Sequence, residues 1–143
     1  MCFEKEKNMN LKENFIPNIE DLMKLYNNVE WSNYTKHPDM LKNAYENSLY
    51  VLTAWDENQL IGAIRVVGDG YSIIYIQDLL ILREYQHMGV GKKLLTEAVR
   101  KYKHVYQKVL LTENDPKTKS FYEKMGFKDS KEYGCLTYVI ITN

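Results

Sequence analysis

An α/β fold with a mixed sheet is what this sequence predicts. Three observations carry that expectation. Apolar residues recur at helical spacing up to about residue 47 and then fall into short strand-like runs. One long apolar run, residues 73–82, opens onto an amphipathic helical stretch. A further buried-type strand and a short helix follow it, an alternation that belongs to layered α/β domains.

The elements follow in chain order. Residues 11–16 suit a short first strand. From Pro17 to Val29 a helix is expected: Ile19, Leu22, Met23, Leu25 and Tyr26 share a face, and Pro17 suits the first turn. Trp31 to His37 reads as a polar, aromatic loop. Pro38 opens a second short helix with Met40, Leu41, Ala44 and Tyr45 on one face. "SLYVLTAW" (48–55) and "LIGAIRVVG" (60–68) are strand-like and separated by the turn "DENQ". "DGYS" (69–72) is a hairpin turn with an Asp-Gly pair. "IIYIQDLLIL" (73–82) is the longest strand, and its nearly unbroken apolar character predicts coverage on both faces. Val90, Leu94, Leu95, Ala98, Val99 and Tyr102 mark an amphipathic helix. "KVLLT" (108–112) is another buried strand. Pro116 to Met125 is a short helix that Gly126 closes. Phe127 onward and "CLTYVII" (135–141) are expected to end the chain in strands. No linker or repeat divides the sequence, so one domain over 1–143 is expected, with residues 1–10 flexible.

Composition excludes several function classes. The 19 basic and 19 acidic residues balance, so no nucleic-acid partner is implied. Only two cysteines are present, Cys2 and Cys135, far apart and without metal-ligand spacing; they read as free thiols, and no metal is expected. The charged start "MCFEKEKNMN" lacks an apolar signal core, and no apolar run approaches the ~20 residues of a membrane span. A soluble, cytoplasmic protein without a membrane partner is the expectation.

"EYQHMGVGKKLL" joins the long strand to the helix. Glycine bends the backbone sharply and lets a ligand approach closely. A helix start offers unpartnered N–H groups and partial positive charge. Together they make an anion site suited to phosphate. The N–H groups from His87 to Gly91 would face one anion, with Lys92 and Lys93 adding charge. Two known phosphate loops do not fit. A P-loop needs glycine at position 86 and Ser or Thr at 93, where Gln86 and Lys93 stand. A dinucleotide fingerprint needs a third glycine at 94, where Leu94 stands.

Gln86-His87-Met88-Gly89-Val90-Gly91, set between a long apolar strand and an amphipathic helix, resembles motif A of the Gcn5-related N-acetyltransferases. "DPKTKSFYEKMGFKDS" (115–130) resembles their motif B, with Phe121, Tyr122, Gly126 and Phe127 in its Phe-Tyr-x-x-x-Gly-Phe signature. The two stand in the family's order over about residues 73–130. The resemblance implies a mostly antiparallel central sheet flanked by helices and splayed at its central strands. It implies acetyl-CoA as co-substrate, its pyrophosphate held by Gln86, His87, Met88, Gly89, Val90, Gly91 and Lys92. It implies a pantetheine arm paired with the backbone of Leu79, Leu80 and Ile81 like a missing strand. A nearby N–H would polarise the thioester carbonyl. Where the family often has an asparagine for the pantetheine arm, this sequence has Asp115, with Asn114 beside it. Asp-Pro at 115–116, "GDG" (68–70) and Trp31, Pro38, Leu41, Ala44, Asn47 and Ser48 resemble the plant and cyanobacterial arylalkylamine branch; no substrate is taken from that.

Acetyl transfer to an amine needs a route for the amine proton and a proton for the leaving thiolate. Tyr122 matches the family tyrosine placed to protonate the thiolate. For the base, Asp78, on the long strand among apolar neighbours, is the candidate; burial would raise its pKa into a useful range. Glu113, Asp115 or a water chain are the alternatives. Trp31 and Tyr34 are expected to line the acceptor cleft, with Tyr45 nearby, and would suit an aromatic or hydrophobic amine. The expected function is direct acetyl transfer from acetyl-CoA to a primary amine of a small molecule or peptide. The rival is a non-catalytic CoA-binding sensor or scaffold of the same fold. "CLTYVIITN" is further expected to pair across a homodimer.

Overall fold

The computed structural model describes residues 9–142. They form two compact units that part after Leu111. Residues 1–8, with Cys2, lie outside the described residues, and residues 9 and 10 belong to the first strand.

The first unit is a five-stranded sheet in the order β1 to β5. The strands are β1 (Met9–Glu13), β2 (Tyr50–Asp56), β3 (Gln59–Gly68), β4 (Ile73–Ile81) and β5 (Gln107–Leu110). β1 to β4 pair antiparallel with their neighbours, and β5 joins β4 in parallel. That is the mixed, mostly antiparallel α/β sheet expected. Helices α1 (Ile19–Asn28), α2 (Ser32–Thr35) and α3 (Pro38–Glu46) precede β2, and α4 (Val90–Lys101) links β4 to β5.

Local chemistry explains the helix limits. Asn18 caps α1, its Oδ1 accepting from the Asp21 N–H at 2.8 Å. Pro38 occupies the first turn of α3, where its missing N–H costs nothing. The loop expected at 31–37 contains the single turn of α2. Leu22, Leu25 and Tyr26 of α1 and Leu41 and Tyr45 of α3 are buried, as are Leu94, Leu95 and Ala98 of α4. Burying a leucine contributes about 2 kcal/mol, so these faces, rather than helix propensity, hold the elements.

Side chains alternate along a strand. Asp78 meets Tyr26 of α1, while Ile81 Cδ1 and Leu94 Cδ1 of α4 occupy the space where a Gly62 side chain would begin. So α1 and α4 cover opposite faces of the sheet. A Cβ on Gly62 would stand 2.7 Å from Ile81 Cδ1, which is why glycine occupies that point of β3.

Two expectations need correction. β4 is not evenly covered: Ile74, Ile76, Asp78 and Leu80 are buried, but Gln77 is exposed and Tyr75, Leu79 and Ile81 are half-buried. A run of apolar letters hides this inequality. The expected strand at 135–141 is also not formed. A strand needs a ladder partner for its backbone groups, and residues 135–142 have none among the described residues.

The second unit, described by itself, holds α5 (Pro116–Lys124) and a 3₁₀ turn, Ser130–Tyr133. Asp115 caps α5 and Pro116 takes its first position.

Candidate functional site

β4 organises the site. Its ladder with β5 runs only from Ile73 to Ile76, opposite Gln107 to Leu110. From Gln77 onward β4 has β3 on one side and no strand on the other among the described residues. This is the splay.

The direction of the free groups follows from strand geometry. The N–H and C=O of one residue point the same way, and the side alternates. The Leu82 N–H reaches the Ile61 carbonyl of β3 at 2.8 Å. Leu80 and Asp78 therefore also point to β3. Leu79 and Ile81 point to the open edge. Of the three predicted pantetheine contacts, two present edge groups, and Leu80 instead buries its side chain in the core. The Ile81 carbonyl accepts from Gln86 Nε2 at 3.0 Å, which fastens the strand end to the loop beyond it.

That loop carries the glycine turn. Tyr85 is buried, while His87 is exposed. His87 (φ 64°) and Gly89 (φ 84°) both adopt the left-handed region, one residue apart. Gly89 is the residue before the first turn of α4, where a Cβ costs about 1 kcal/mol or more. Neither Gly89 nor the first turn supplies a side-chain cap or a carboxylate. The helix start keeps its unpartnered N–H groups and partial positive charge, with Lys92 and Lys93 exposed beside it. Basic residues Arg100 and Lys101 sit at the far end, where they match the helix dipole.

At the other end of the open edge stands a polar cluster. Asp78 is 2% exposed. Its Oδ2 accepts from Arg65 Nε at 2.9 Å and from Tyr26 Oη at 2.8 Å; its Oδ1 accepts from Tyr34 Oη at 3.0 Å. Tyr26 spends its proton on Asp78, so Tyr45 donates to Tyr26 at 2.8 Å. Arg65 and Asp78 are direct partners across the β3–β4 ladder. The neighbours of Asp78 are thus not apolar, as the sequence suggested, but a guanidinium and two phenols. Burial lowers the Arg65 pKa and the adjacent carboxylate more than reverses that, leaving it raised. Burial, and secondarily Tyr45 and Asp78, push Tyr26 well above the usual phenol range.

Trp31 and Tyr34 come together here. Their rings stack at 29° with centroids 6.2 Å apart, and Tyr26 lies edge-on to Trp31. Tyr34 Oη also accepts from Gln77 Nε2 at 3.2 Å. Burial, then the charge of Asp78, raises its pKa, so the phenol stays neutral. Tyr45, 1% exposed, is a core residue and lines nothing.

In the second unit Tyr122 packs edge-on to Phe121 and Phe127, with centroids 5.0 and 5.8 Å away. Burial raises its pKa. Asp115 is engaged in capping: Thr118 Oγ1 donates to it at 2.6 Å and the Lys117 N–H at 3.2 Å. Those bonds, Thr118 first, hold its carboxyl below the usual range.

Arg65, Gln77 and Tyr26 escaped sequence reading. The available signal was one arginine and one aspartate in consecutive apolar strands joined by a hairpin. A cavity of about 630 Å³ beside Asp21, Lys24, Asp56 and Glu84 contains none of the predicted site residues. No group of metal-ligating side chains occurs, and no helix is long and apolar enough to cross a membrane, among the described residues.

The profile of the acetyltransferase (GNAT) domain family matches residues 20–140. A solved GNAT-family acetyltransferase from Streptococcus pneumoniae TIGR4 is 37% identical, with a TM-score of 0.84 over 94% of this chain and 98% of its own. An uncharacterized N-acetyltransferase from Prochlorococcus marinus is 31% identical over 112 residues, 75% of this chain and 61% of its own length. The chain spans 55% to 67% of the first curated relatives it matches. An N-acetyltransferase from Thermoplasma acidophilum, solved with coenzyme A, shares the fold at 21% identity and a TM-score of 0.70, over 83% of this chain and 90% of its own.

Proposed function

The chain belongs to the GNAT N-acetyltransferase family, and from that premise we propose that it uses acetyl-CoA to acetylate a primary amine of a small molecule or peptide. The observation that carries the reading is the open edge of β4 ending on an uncapped helix start. The free N–H and C=O of Leu79 and the N–H of Ile81, whose carbonyl is held by Gln86, suit the two amides of a pantetheine arm. The backbone from Gln86 to Gly91, including Met88 and Val90, suits a pyrophosphate, with Lys92 nearby. Coenzyme A in the Thermoplasma neighbour agrees with this choice of donor.

In the reaction the amine nitrogen attacks the thioester carbonyl carbon. The N–C bond forms, the C–S bond breaks, and the amine loses a proton. Tyr122 is proposed to give the departing thiolate its proton; a half-buried, neutral phenol is a suitable donor. No cysteine stands in either motif, so transfer is direct. Asp78 is unsuited to serve as the base, because its oxygens already accept three bonds, one from a guanidinium. We assign it the task of holding Tyr34 and Arg65, and leave the amine proton to a water chain. Asp115 is proposed to reach the donor only through the backbone of the α5 start it caps.

Calorimetric titration with acetyl-CoA tests it. Micromolar binding is expected in the wild type and none in a Gly89→Asp, Gly91→Asp double variant. Tyr122→Phe should bind normally and lose most turnover. Wild-type protein that binds but acetylates no amine would favour the sensor reading.

A further inference from the structure

Tyr34 Oη has one proton and two lone pairs. The proton goes to Asp78 Oδ1 and one lone pair is taken by Gln77 Nε2. One lone pair is left. Its donor bond runs to a buried carboxylate, which makes the phenol oxygen a stronger acceptor. The burial-raised pKa keeps the phenol protonated, so it acts by accepting a hydrogen bond and not as a phenolate base.

The position matters as much as the electronics. Gln77 is the first residue of β4 beyond the β5 ladder. An arm anchored at the helix start and laid along Ile81 and Leu79 runs back along β4 towards Gln77. From Ile81 to Gln77 the strand spans about 13 Å. The reacting end of the donor therefore arrives where Tyr34 Oη and Trp31 stand.

We propose that Tyr34 Oη accepts an N–H of the incoming amine and so orients its nitrogen at the thioester, with Trp31 beside it receiving an aromatic or apolar substituent. Asp78 and Gln77 are positioning residues: they fix the phenol's proton and one lone pair and leave the other to the amine. Arg65 in turn fixes Asp78. The inference rests on the acetyl-transfer reading and adds the group that recognises the acceptor and the substituent it favours.

The test is steady-state acetylation of 2-phenylethylamine beside calorimetric binding of acetyl-CoA. In Tyr34→Phe the KM for the amine should rise about tenfold, the effect of one lost hydrogen bond, while the acetyl-CoA Kd stays within about twofold. Asp78 keeps its bonds from Tyr26 and Arg65, so the variant should fold. An unchanged amine KM overturns the proposal. So does a parallel rise in the acetyl-CoA Kd, which would put Tyr34 on the donor. Wild-type protein that binds acetyl-CoA but does not acetylate 2-phenylethylamine also overturns it and leaves the acetyl-transfer reading standing. Wild-type protein that binds no acetyl-CoA removes both. Should circular dichroism show Tyr34→Phe unfolded, Gln77→Leu on the exposed strand edge decides: an amine KM raised about threefold supports the proposal, and an unchanged KM overturns it.

Discussion

Arg65 and Asp78 form a buried ion pair in the first unit. Both side chains are nearly inaccessible, at 7% and 1% exposure. Each offsets the cost of burying the other. Removing one partner leaves an uncompensated charge in the core. Arg65→Leu should cost about 3–5 kcal/mol, read as a lower urea midpoint with an unchanged slope. Arg65→Lys retains the charge but loses the directed Nε–H donor, and should recover only part of that. A midpoint unmoved in Arg65→Leu would show that the pair is not holding β3 to β4. The pair was hidden from sequence reading for a physical reason. Asp78 has apolar neighbours along the chain, and its true surroundings come from another strand and from α1. Only the register that sets Arg65 opposite Asp78 reveals them. The glycine turn was legible because its cause is local: a left-handed backbone at Gly89 needs glycine whatever surrounds it.

Among the elements, the turn between β3 and β4 sets that register. Asp69 Oδ1 accepts from the N–H groups of Tyr71, Ser72 and Ile73, and Oδ2 from Ser72 Oγ. These bonds, Ser72 Oγ first, hold the Asp69 carboxyl well below the ordinary range. A carboxylate with a depressed folded pKa contributes stability that is present above its unfolded pKa, near 3.9, and lost as pH falls further. Asp69→Asn should therefore melt lower than wild type at pH 7, and the gap should narrow below about pH 4. Thermal melts at pH 7 and pH 3 check this; a gap equal at both would mean the charge is irrelevant to the turn. Helices with caps in their own sequence were legible: α5 was read to within one residue at each end, while α1 starts two residues after the expected Pro17, because Asn18 caps it. Residues 135–141 were misread because alternating apolar residues indicate only a fitness for pairing. The partner has to be supplied by another part of the fold.

For the whole molecule, a donor that binds only the folded chain must raise its melting temperature. At a hundredfold excess over Kd the gain is about 2.7 kcal/mol. For 143 residues that is a rise of roughly 5–10 °C, measurable by scanning calorimetry. Desulfo-CoA, which keeps the pyrophosphate and both amides, should give most of the shift, and ATP little. Equal shifts from ATP and CoA would argue that only the helix start is engaged and that the edge of β4 is idle. The α/β class with a mixed sheet and the strand–glycine turn–helix path were legible in the sequence. The polar cluster at the splay was not, because it gathers residues from α1, α2, β3 and β4 that are adjacent only after folding.

The unpaired stretch of β4 from Gln77 to Ile81 has a further consequence outside catalysis. A row of free backbone groups on a largely apolar strand is a template for pairing with any other extended chain. The Gln86 side chain blocks one carbonyl, and the rest is open among the described residues. If the proposed donor lies along this edge, molecules without it should be the ones that self-associate on storage or overexpression. The supply of acyl donor in the surroundings would then govern how long the protein stays monodisperse, as well as how fast it works.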